Sequence, residues 1–151
     1  MKHITYAFLL ALVAYVVCYA AIEHRRTRNG PWQITFQRSN DGAPALLINQ
    51  PRLSITNVQV RFTGDTAPAP MAAVNVDFQE AQPVPFEVPF GKCVFLDTTF
   101  LPGTVAFQLF GHEIELLPRV LIIDRQEHPW RPGSIVNLQP ASPGPNPAHR
   151  K

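Results

Sequence analysis

The stretch PWQITFQRSNDGAPALLIN, residues 31–49, decides the fold class. Trp32, Ile34 and Phe36 alternate with Gln33, Thr35 and Gln37. Successive side chains of an extended chain point to opposite faces, so this segment has one apolar and one polar side. Asp41-Gly42 follows, a pair that takes up positive φ cheaply and so closes a hairpin. Ala45–Asn49 is the returning strand, and Pro51, with no N–H to give a ladder, breaks or edges it.

The two-residue period recurs downstream. Val58, Val60 and Phe62 alternate with Gln59 and Arg61; Val74, Val76 and Phe78 with Asn75 and Asp77; Phe86, Val88 and Phe90 with Glu87 and Pro89. Cys93–Phe100 and Thr104–Phe110 flank a Leu101-Pro102-Gly103 turn, and Ile114 and Leu116 alternate with Glu113 and Glu115. Val120–Ile123 is apolar throughout, as a strand covered on both faces would be. Ile135–Leu138 is the last strand. About nine short strands with turn signals every 8–12 residues predict an all-β sandwich, immunoglobulin-like or jelly-roll, without amphipathic helices. Ten Phe and two Trp supply much of its core.

Upstream of the hairpin, Ile4–Ile22 is a run of 19 uncharged residues. As a helix rising about 1.5 Å per residue it matches a hydrocarbon core of about 30 Å. It exceeds the core of an ordinary signal peptide, about 7–15 residues. Cys18-Tyr19-Ala20 is a poor cleavage site, and Val17 is too large to precede a lipid-modified Cys18. The run stops at Glu23-His24-Arg25-Arg26, so the reading is a retained transmembrane anchor. Tyr6, Tyr15 and Tyr19 stand near its ends or on one side, where helix-contacting or interfacial aromatic residues belong. Residues 1–3 form a short tail, 4–22 the anchor, 23–30 a basic juxtamembrane linker, 31–139 the sandwich and 140–151 a Pro-rich, disordered tail with a Pro-x-x-Pro spacing at Pro140 and Pro143. Arg25, Arg26 and Arg28 stand at the membrane edge, where they would meet anionic lipid if that side is cytoplasmic and are otherwise a plain stop signal. A short basic amino terminus before one span favours an exported domain, although the three arginines beyond the span weigh the other way.

Partitioning the charge matters more than the total of +2. Gly30–Gln139 carries six Arg and one Lys against ten acids, so the body is mildly acidic and only the ends are basic. A duplex-binding domain needs a concentrated cationic face, and nucleic acid is therefore excluded as an expected partner. Ten Arg against three Lys, with no Asn-x-Ser/Thr sequon, leans towards a bacterial inner membrane. Cys18 and Cys93 fall in different compartments on this reading, so no disulfide is expected.

Chemistry-bearing residues are sparse. Cys93, His112, His128 and Met71 are the donors a copper-binding sandwich would use, but their order and spacing do not fit such a site. Cys93 is expected in the core and His112 in a turn. In His112-Glu113-Ile114-Glu115 the two glutamates share one strand face and the histidine lies on the other, so the three do not converge. No Ser sits in a nucleophile elbow and no Gly-rich phosphate loop occurs. The segment 124–133 reads as a loop that gathers Asp124, Arg125, His128, Trp130 and Arg131. Trp130, Arg131 and His128 are its candidate interaction residues, since Trp and Arg dominate interface energies; the alternative is that Trp130 caps the sandwich and Asp124 and Arg125 are solvated charges. The expected function is non-catalytic, without cofactor or metal: an accessory or scaffold subunit whose partners are the lipid bilayer and other membrane-protein subunits. A tethered carbohydrate- or peptide-binding module using 124–133 is the alternative.

Overall fold

A computed structural model describes residues 2–66 and 72–141. Met71 and the prolines of the tail beyond Ala141 lie outside the described residues. Helix α1 runs over Lys2–Thr27, uninterrupted by Gly or Pro. It ends where Gly30 takes a left-handed φ of 69° and returns its N–H to the Thr27 carbonyl at 3.2 Å. Pro31 blocks continuation, and His24, Arg25 and Arg26 in the last turn complement the negative end of the helix dipole. The helix is long and apolar enough to span a membrane, and none of its apolar window is buried against the sandwich.

Eleven strands follow among the described residues: β1 (Gln33–Arg38), β2 (Pro44–Gln50), β3 (Ile55–Phe62), β4 (Val74–Asp77), β5 (Phe86–Val88), β6 (Gly91–Leu96), β7 (Val105–Leu109), β8 (His112–Leu116), β9 (Val120–Ile123), β10 (Gln126–Pro129) and β11 (Ile135–Leu138). They form the predicted sandwich of two sheets. One sheet has the order β11-β3-β2-β1-β4 and the other β10-β9-β8-β7-β6-β5. Strands β4-β1-β2-β3 keep Greek-key order, β11 joins β3 in parallel, and the second sheet is a simple meander. Alternation sets the core: Ile34, Phe36, Leu46, Ile48, Val58, Val60 and Phe62 face Cys93, Phe107, Leu109, Ile114, Leu116, Leu121 and Ile123. Phe36 and Phe107 meet edge to face at a centroid distance of 6.0 Å, a favoured aromatic geometry.

Three local readings need correction. The 124–133 loop contains β10, because Asp124 and Arg125 both take positive φ (50° and 68°) and close a two-residue hairpin without the usual Asn-Gly signal. The strand starting at Cys93 ends at Leu96; the following loop folds back so tightly that a Cβ on Gly103 would lie 1.5 Å from the Asp97 carbonyl oxygen. In β9 only Leu121 and Ile123 are fully buried, while Val120 and Ile122 are half-buried because no layer covers the outer face.

Strand direction defines the two ends of the sandwich. β1 starts beside the linker and runs away from it. The turns at 51–54, 97–104, 117–120 and 130–134 therefore cluster at the helix end, and the turns at 39–43, 89–90, 110–111 and 124–125 at the far end.

Candidate interaction surface

The helix end is built around buried polar contacts that tie the linker to the sandwich. Gln50 is 1% exposed, and its Nε2 donates to the Gly30 and Pro31 carbonyls at 3.2 and 2.8 Å. The Leu101 N–H donates to the carbonyl of Arg26, in the last turn of α1, at 2.8 Å. Trp32, 2% exposed, donates Nε1–H to the Gly103 carbonyl at 2.7 Å. One loop thus touches both the helix and the first core residue after it.

Trp130 belongs to this same end. It is half-buried, its ring lies 5.4 Å from that of Trp32, and its Nε1–H donates to the Leu117 carbonyl at 2.9 Å. Beside it, Arg131 is exposed and its carbonyl accepts from Ser134 N–H at 3.0 Å, which shapes the turn into β11. His128 sits on β10 opposite Leu121, half-buried at the sheet edge. Trp130 and Arg131 therefore stand at the same end of the sandwich as the linker arginines. Of those, Arg25 and Arg28 are exposed, and Arg26 pairs with Glu23 at 2.9 Å. Along the helix, Tyr15 and Tyr19 are one turn apart with ring centroids at 6.4 Å. Tyr6, nine residues before Tyr15, lies about half a turn round the helix from it. All three are exposed.

At the opposite end is an open cleft of about 850 Å³ whose lining includes Glu87, Lys92, Phe90, Phe110, Asp124 and Arg125. His112 also reaches it, and here the sequence reading is corrected: His112 is not a turn residue but the first residue of β8, 6% exposed on the core face. Its Nε2–H donates to the Gln139 carbonyl at 2.9 Å, and its Nδ1 lies 2.6 Å from Asp124 Oδ2. Asp124 Oδ1 accepts the Glu113 N–H at 2.9 Å, so this carboxylate is anchored at the hairpin turn rather than a freely solvated charge. The pair ties the starts of β8 and β10 to the end of β11. A His twelve residues from an Asp gives no local signal of this.

Cys93 is fully buried, with Sγ directed at the Phe95 carbonyl at 3.4 Å. Burial pushes its thiol up to about 11, far from the range of a reactive thiolate. Cys93, His112 and His128 stand on β6, β8 and β10, and among the described residues no three His, Cys, Asp or Glu side chains gather as a metal site. Comparison with known protein families, with curated proteins and with solved structures gives no match.

Proposed function

We propose that this chain is a single-pass membrane protein whose sandwich serves a larger membrane assembly as a non-catalytic accessory or scaffold module. The observation that carries the reading is the junction of the two parts. The last turn of α1 is hydrogen-bonded to the sandwich at Leu101, yet every apolar side chain from Ile4 to Ile22 lies outside it. Such a surface needs lipid and neighbouring helices to cover it, and the stacked Tyr15 and Tyr19 give it a flat aromatic face for the latter. Cys93 and His112, the groups best suited to chemistry, are committed to the core and to the Asp124 and Gln139 contacts. On this reading the span lies in a bacterial inner membrane with the sandwich on the exported side, which protease added to intact spheroplasts would digest.

The decisive experiment is the native mass of the full chain extracted in mild detergent from its own membranes. It is expected to travel within a much larger particle; migration alone, as a monomer or dimer, overturns the proposal. The alternative of a ligand-binding module draws on the far-end cleft, where Asp124 and Arg125 of the 124–133 segment join Phe90 and Phe110. Chemical-shift changes at those residues on adding oligosaccharides or peptides would favour it, and none at high ligand concentration would remove it.

A further inference from the structure

Exposed arginines gather in the turns at the helix end of the sandwich. The helix end carries Arg25, Arg26, Arg28, Arg52, Arg119 and Arg131 against Glu23, Asp77, Glu80 and Asp97, with Glu115 on the helix-side half of β8 and Glu127 level with it on β10. The far end carries Arg38, Arg61, Lys92 and Arg125 against Asp41, Asp65, Glu87, Glu113 and Asp124. Arg52, Arg119 and Arg131 come from three separate turns, at 51–54, 117–120 and 130–134, and all are exposed. Arg52 and Arg28 line one small cleft with the linker. In the loop that grips the helix, Phe100 is 57% exposed while its neighbour Leu101 is 8% exposed.

We propose that this end is a docking face for the anionic headgroups of the bilayer that α1 spans: the arginines form a collar round the helix exit, and Phe100 enters the interface. The inference rests on α1 spanning a bilayer whose leaflet on the sandwich side carries anionic lipid. Arg26 lies four residues beyond Ile22, a rise of about 6 Å along a helix. The headgroup layer on each side of a hydrocarbon core is roughly 5–7 Å thick. The Leu101 N–H, bonded to the Arg26 carbonyl, therefore brings the loop of Phe100 to headgroup depth. Clustered cations next to a membrane-spanning helix attract anionic lipid. An exposed aromatic ring at the same level suits the interface, which accepts rings with one wet side. The sandwich then stands with its helix end down and its far end away from the surface.

Both tryptophans of the chain lie at this end, half-buried Trp130 and the buried Trp32 beneath it, so the protein carries its own reporter. The full chain is reconstituted into vesicles of phosphatidylcholine alone or mixed with phosphatidylglycerol. Tryptophan quenching is then read from lipids brominated near the headgroup end of the acyl chain. Quenching is expected to be stronger in the anionic vesicles and to fall with added salt, which screens exposed charges. In the triple variant Arg52→Gln, Arg119→Gln, Arg131→Gln the ratio of seated to lifted sandwich should fall on the order of a hundredfold, about fivefold per arginine. Phe100→Ser should lower quenching in both lipids while keeping the salt dependence. Release of the chain by an alkaline wash would overturn the spanning helix itself. Retention after that wash, with quenching indifferent to lipid charge and to the triple variant, would overturn the docking face and leave the anchor standing.

Discussion

Trp32→Phe tests the junction on which the functional reading depends. Trp32 is 2% exposed and its Nε1–H is bonded to the Gly103 carbonyl at 2.7 Å. Phenylalanine keeps an aromatic ring in the site but removes the donor. A buried carbonyl left unpaired costs about 1–3 kcal/mol, and the lost half of the indole adds roughly 1 kcal/mol of packing. The expected destabilisation is therefore about 2–4 kcal/mol, a large share of the 5–15 kcal/mol that holds a typical domain together. Trp130→Phe removes a comparable bond, to Leu117, but its half-buried position lets water replace the donor. That loss should stay near 1 kcal/mol. Urea unfolding of the full chain in detergent, followed by far-ultraviolet circular dichroism at constant m, gives both values. Hydrogen exchange in residues 97–104 should accelerate in Trp32→Phe, because Gly103 and the helix-gripping Leu101 share that loop. A Trp32→Phe loss below 1 kcal/mol, or one equal to that of Trp130→Phe, would refute the argument.

Further outcomes are expected at Gly91, Gly42 and Cys93. Gly91→Ala would bring a Cβ within 2.0 Å of the Gln108 carbonyl oxygen and prise β6 from β7; its unfolding midpoint should drop by the equivalent of about 3 kcal/mol. Gly42→Ala, with φ of 83° but open space around it, should lose only about 1 kcal/mol. Cys93 should resist maleimide in the folded chain and react on unfolding. Its thiol is raised from 9.0 to about 11, so the contribution to stability is complete below about pH 9 and lost as pH climbs towards 11. That loss is about 3 kcal/mol, measured as the extra alkaline sensitivity of the native chain over Cys93→Ala.

Alternation made the sandwich legible because burial on one face imposes a two-residue period that survives in one strand taken alone. Ile34 and Phe36, or Ile114 and Leu116, announce themselves in this way, and the Ile4–Ile22 run announces a helix long and apolar enough to span a membrane. Strand order was not legible: the pairing of β11 with β3 joins residues more than seventy positions apart, and no local pattern encodes it. β10 escaped because Gln126, Glu127 and Pro129 are exposed edge residues whose pairing is held by backbone bonds. The candidate surface was legible only in pieces. Trp130 and Arg131 drew notice by residue type, and Arg25, Arg26 and Arg28 by sitting next to the span. Arg52 and Arg119 carry no local signal, since only the fold puts those turns at one end. His112 was misread for the same reason: its partners Asp124 and Gln139 arrive from two other strands' ends.

Among the described residues all four edge strands are short. β4, β10 and β11 have four residues each and β5 has three, whereas β3 inside its sheet has eight. Prolines reinforce the point: Pro129 closes β10, and Pro83, Pro85 and Pro89 surround β5. A tethered domain is confined to two dimensions with its own copies, where a long open edge would invite strand-to-strand polymerisation. Truncated, proline-bounded margins among the described residues give such pairing little template. The same short margins offer an added strand only a brief ladder.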